Sequence, residues 1–181
     1  MKKMMLLLAS LVALTACSQS KQATKESTSN QTTKETKVSE SSKEEKGLKF
    51  VVAPQYEGKT SELIELGKKL VKEHPELGSE GNMALYFTGA ISEGRAALML
   101  VNKTDVDIKK DLNFSISWSY DGKTIFDNQK VSYFIKDSGE LPSHTATIIL
   151  LPLNEEQQRI VDGMSDPSKM KLQMSDVNAV E

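Results

Sequence analysis

The sequence predicts a mainly β domain, a β-sandwich with two accessory helices, preceded by a disordered tether. Three observations lead there. Leu112, Phe114, Ile116, Trp118 and Tyr120 alternate with Asn113, Ser115, Ser117 and Ser119. That is the period of a strand with one buried face. Further short apolar runs follow one another with turn signals between them, spaced about 8–12 residues apart, as in sandwiches. Finally, Ser18 to Lys46 holds one large apolar residue, Val38, and shows no helical or strand period.

Taken in order, Leu48 to Val52 reads as the first strand. Residues 60–74 read as a helix, because Leu63, Leu66, Gly67, Leu70, Val71 and His74 recur on one face. Thr60 or Ser61 caps its start, and Pro75 ends it. Met83 to Ala90 and Ala96 to Val101 pair around Ser92-Glu93-Gly94. Strand 112–120 turns at Asp121-Gly122 into Lys123 to Phe126. Val131 to Ile135 and Thr145 to Leu151 form further strands. Asn154 caps a short helix over 155–162, with Gln157 placed to complete a capping box. Met170, Leu172 and Met174 alternate in a last strand.

The start of the chain reads as an address. Lys2 and Lys3 precede a short apolar run from Met4 to Leu14. Those are the first two regions of a secretory signal, and the run is too short to span a bilayer. Leu14-Thr15-Ala16-Cys17 follows, and Cys17 is the only Cys in the chain. This stretch resembles the lipobox of bacterial lipoproteins. The resemblance implies cleavage before Cys17 and a diacylglyceryl group on its sulfur. Signal peptide 1–16 would be removed. Two or three acyl chains hold a protein on a membrane that one chain grips only marginally.

Residues 17–46 then form the lipidated Cys and a Ser/Thr/Lys/Glu-rich spacer. Six Lys against five Glu leave the 18–46 stretch at +1. Such a stretch cannot bury enough apolar surface to offset its ordering entropy. As a coil, its 29 residues reach roughly 30 Å. The domain spans 47–181, carries a net charge of -5, and suits one core.

Composition removes several function classes. The whole chain has 23 Lys+Arg against 25 Asp+Glu. No basic excess is available to neutralise nucleic-acid phosphates, so no nucleic-acid partner is expected. One Cys and two His leave no disulfide within the chain and no Cys- or His-rich metal site. Gly58-Lys59-Thr60 follows a strand and precedes a helix, the setting of a phosphate-binding loop. The motif's first Gly is replaced by Ala53, and Pro54 removes an N–H, so an ordinary loop with a helix cap is the better reading. Asp105, Asp107 and Asp111 lack the intervening Gly of a calcium loop and read as solvated turn charges. His74 and His144 have no Gly-x-Ser-x-Gly elbow to serve. No catalytic residue, metal or cofactor is expected.

In Val131-Ser132-Tyr133-Phe134-Ile135 the alternation breaks, since neighbouring residues of a strand face opposite ways. Tyr133 or Phe134 is therefore a candidate exposed contact. Trp118 and Tyr120 belong by default to the core.

From Tyr86 to Leu153, Val101-Asn102-Lys103-Thr104, the long alternating strand, Asp121-Gly122 and Gly139-Glu140-Leu141-Pro142 stand in order. This stretch resembles the immunoglobulin-like domains of secreted Gram-positive proteins, including those associated with surface layers. The resemblance implies a binding or assembly module. The expectation is a protein lipid-anchored through Cys17 on the outer face of a Gram-positive cell membrane. Its sandwich is expected to bind another macromolecule, such as an envelope protein, or a cell-wall component. The alternatives are an envelope enzyme with a dispersed site and a small-ligand-binding lipoprotein.

Overall fold

A computed structural model describes residues 47–180. The signal peptide, the lipobox residues Leu14 to Cys17 and the spacer lie outside the described residues. In chain order the elements are β1 (Lys49–Phe50), a 3-10 turn (Pro54–Tyr56), α1 (Glu62–Glu73), β2 (Met83–Ser92), β3 (Arg95–Asn102), β4 (Leu112–Tyr120), β5 (Lys123–Tyr133), α2 (Ile135–Ser138), β6 (Thr145–Pro152), α3 (Glu155–Asp162), a second 3-10 turn (Pro167–Lys169) and β7 (Met170–Ala179).

The strands form two sheets, β1-β6-β3-β2 and β5-β4-β7. β2, β3 and β6 stand where strands A, B and E stand in an immunoglobulin sandwich, and β5, β4 and β7 where C′, C and F stand. β1 holds part of the D position, parallel to β6. Among the described residues no strand occupies the G position.

Alternation decides which residues fill the space between the sheets. Leu98 and Leu100 of β3 point inward with Ile149 and Leu151 of β6. They meet Phe114, Ile116 and Trp118 of β4. The Trp118 ring lies 5.0 Å from Phe87 of the facing sheet and 6.0 Å from Phe126 of its own. Antibody domains bury a Trp on their C strand against a disulfide, whereas here the ring packs between Phe87 and Phe126.

The other face of the first sheet is also covered. Met99, Val101 and Ala146 pack there with Leu48 and with Val71 of α1. β3 is thus buried on both faces, which explains its unbroken apolar run from Ala96 to Val101. Ser61 caps α1 by accepting from the Ile64 N–H at 3.2 Å. Ile64, Gly67 and Val71 form its buried stripe. Gly67 is bare because a Cβ there would run into the Phe50 ring.

Both predicted tight turns form. Glu93-Gly94 and Asp121-Gly122 each have positive φ at both central positions, the backbone that matches the twist of paired strands. Asn154 and Gln157 make the reciprocal capping box of α3.

Four details differ from the sequence reading. The first strand shrinks to Lys49–Phe50, because the chain turns away before Pro54. The expected strands 123–126 and 131–135 are one strand, β5. Its interruption at Asp127-Asn128 is a bulge: Asn128 has φ 48, and the register slips between Ile116 and Trp118. Ile135 opens a third helix, the single turn α2, whose first N–H is held by Asp111 Oδ1 at 2.8 Å. Two accessory helices were expected and three are present. Of the expected α1 face, Gly67 and Val71 are buried, Leu63, Leu66 and Leu70 are half-buried and His74 is exposed, while Ile64 joins the buried stripe.

Asn102 organises the end of the sandwich. It is fully buried at the last position of β3. Its Nδ2 donates toward the carbonyls of Val106, Leu141 and Pro142 at 2.9, 3.0 and 3.1 Å. Its Oδ1 accepts from the Thr104 N–H at 3.1 Å and the Thr104 hydroxyl at 2.7 Å. One amide thereby ties the 103–111 connection to the segment entering β6.

Candidate functional site

β6 is longer than the strand that covers its outer edge. β1 pairs only with Thr145 and Ala146, and its last contact is the Val51 N–H on the Ala146 carbonyl at 2.8 Å. The chain then departs through Ala53 and the 3-10 turn to α1. Along β6 the backbone polar groups alternate in direction. Those of Ala146 face β1, so those of Ile148 and Leu150 face the same way. Among the described residues neither of these two N–H groups has a partner on that side.

Beneath this edge lies a cleft of about 520 Å³ between the two sheets. Its floor is Ile148 to Leu151. One wall is Phe50, Val51 and Ile64, where the chain swings away into α1. The other is Phe114, Val131 and Tyr133 of the second sheet. The volume falls within the usual range for ligand sites. Gln55 and Tyr56 stand at the rim, both exposed.

The cleft is poor in ionisable chemistry. Glu93 and Arg95 line it, but they pair with each other. Tyr133 is 2% exposed and donates to the Gly139 carbonyl at 2.9 Å. Burial pushes its phenol up to about 12, so it stays neutral and serves as a wall. The arrangement offers a largely apolar surface beside unpaired strand-edge hydrogen-bonding groups. Among the described residues that line the cleft, no acid–base pair is present.

The two aromatic candidates therefore separate. Phe134 is the exposed one, at 49%. Tyr133 is not an exposed contact, because it faces inward on β5, yet its ring borders the cleft. The free β6 edge and the cleft were invisible in the sequence. They depend on where β1 lets go of β6, a contact about one hundred residues apart in sequence.

A second polar cluster has the residue types of a hydrolase triad. His144 Nδ1 lies 2.7 Å from Ser143 Oγ, and its Nε2 lies 3.0 Å from Glu80 Oε2. The hydroxyl of Ser143, however, donates to the Thr104 carbonyl at 2.5 Å. Its single proton is thereby turned to a backbone carbonyl and not to His144, so Ser143 is not held as a nucleophile is held on its general base. Lys103 is buried beside Glu80 and also reaches the Pro75 carbonyl at 3.2 Å. The hydrogen bond from His144 is the main cause holding the Glu80 carboxyl below the usual carboxylate range. The cluster is a clasp fastening the turn before β2 to the start of β6.

The remaining candidates also resolve into structure. His74 caps the end of α1 and pairs with Glu76 at 3.2 Å. Asp107 accepts from the Ser143 N–H, and Asp111 from the Ile135 N–H. Among the described residues no three metal-ligating side chains gather.

No family model, no characterised protein and no solved structure matches the chain.

Proposed function

We propose that this is a lipid-anchored extracytoplasmic protein whose β-sandwich domain binds another macromolecule or cell-wall component. Leu14-Thr15-Ala16-Cys17 supports the anchor, with the lipid on Cys17 and the domain on the outer face of a Gram-positive cell membrane. The open cleft beside the free edge of β6, whose charged lining residues Glu93 and Arg95 pair with each other, carries the binding half of the reading. Its lack of an acid–base pair favours binding over an envelope enzyme.

Two measurements test the two halves. Replacing Cys17 by Ala should abolish fatty-acid labelling, and unchanged labelling would contradict the anchor. A photoreactive residue at Gln55, on the rim, should give a discrete adduct in intact cells. The same residue at exposed Asn178 on β7 should give none. Equal adducts from both positions, or none from Gln55, would contradict binding at the cleft.

A further inference from the structure

Resting on that reading, we propose that the cleft takes an uncharged, extended peptide segment of another exported protein, added as a strand to the free edge of β6 with apolar side chains entering between the sheets.

The backbone argues first. A strand edge presents unpaired N–H and C=O groups, and an extended peptide satisfies them by continuing the ladder. On β6 the groups of Ile148 and Leu150 are the open ones. The ladder they would extend already exists, since β1 pairs with Thr145 and Ala146 along the same edge. Pro152 ends it, because proline offers no N–H. The free stretch from Thr147 to Leu151 matches about five residues of added strand, roughly 17 Å.

The side chains argue next. Residues of an added strand would alternate between two surfaces. One set enters the cleft against Phe114, Val131 and Tyr133. The other set faces the first turn of α1 at Leu63 and Ile64. A purely hydrocarbon ligand would fill the cleft and leave the Ile148 and Leu150 groups without partners, which is costly in a desolvated site.

Charge narrows the occupant further. Glu93 and Arg95 neutralise one another at the mouth, and the rest of the lining is uncharged. A charged side chain entering there would lose its hydration and gain no counter-ion. The chain's own spacer fits poorly: in 18–46 the only large apolar residue is Val38, with Lys37 beside it.

Isotope-labelled chain from Ser18 to Glu181 should be titrated with the blocked peptide acetyl-Thr-Val-Thr-Val-Thr-amide. A second peptide has every backbone nitrogen methylated, and a third has Asp in place of both Val. The first should give saturable shifts at the Ile148 and Leu150 amides and at the Val131 and Tyr133 side chains. Backbone methylation should weaken it at least about tenfold, the worth of two or three hydrogen bonds. The Asp peptide should not bind. Three outcomes overturn the proposal: no saturable shift, equal binding of the methylated peptide, or shifts centred on the edges of β2 or β7. If adding peptide instead releases contacts of 18–46, the spacer is the native occupant and the external partner is wrong. Should the Gln55 adduct form in cells while no peptide binds, the macromolecule-binding reading stands and only its strand-peptide form fails.

Discussion

An Asn102→Asp domain should lose about 3–5 kcal/mol, the usual cost of an uncompensated buried charge. The substitution preserves size and shape. It replaces a donor aimed at three carbonyls with an acceptor, in a position with no exposure. Carbonyl oxygens then face a carboxylate oxygen, and among the described residues no cation is hydrogen-bonded to the amide that is replaced. A domain of this size has about 5–15 kcal/mol in total. Denaturant unfolding of the chain from Ser18 onward should therefore show a large fall in midpoint at neutral pH. The sign of the pH dependence follows. Burial raises the new carboxyl's folded-state affinity for a proton above its unfolded value. The penalty is full above the folded pKa and shrinks as pH falls through the carboxylate range. A mutant as stable as the parent at pH 7 would show that Asn102 is not the tie between the two connections.

The second large effect is at Trp118. Trp118→Ala should cost about 3–5 kcal/mol through the cavity left beside Phe87 and Phe126. Trp118→Phe should cost much less. Among the described residues the buried indole Nε1 has no hydrogen-bond partner, so removing it relieves an unsatisfied donor while keeping a ring. Ser119→Ala, on the opposite face of β4, should stay within about 0.5 kcal/mol. Thermal unfolding of the three variants compares the two faces of one strand directly. A Trp118→Ala protein with the parent's melting temperature would move that ring from the core to the binding surface.

Local chemistry makes much of this fold readable in the sequence. β4 announces itself because alternation over nine residues leaves one workable register. Asp121-Gly122 and the Asn154–Gln157 box act within four residues and are independent of distant context. Legibility ends where a partner lies far along the chain. The Asp127-Asn128 pair looks like a strand break, and only the slipped pairing with β4 makes it a bulge. Ile135 looks like the end of a strand until Asp111, 24 residues earlier, holds its N–H.

The site is less legible than the fold for the same reason. Tyr133 and Phe134 were separable into an inner and an outer residue, but not into which was which. Strand direction decides that, and it is set by the pairing of Tyr133 with Leu112. Glu80 and His144 meet across 64 residues with no motif to join them. The cleft has no motif at all. It exists because Pro54 turns the chain away while β6 continues, so the site is made by a strand that stops early.

That early stop is the central claim, and amide hydrogen exchange along β6 tests it most directly. In the chain from Ser18 onward, the Ile149 and Leu151 amides point toward β3 and should exchange slowly. The Ile148 and Leu150 amides point to the open edge and should exchange roughly a hundredfold faster or more, since they need no opening of the sheet. Slow and fast should alternate residue by residue between Thr147 and Leu151. Uniform protection across those five residues would contradict the account, because it would mean that the edge of β6 is already covered.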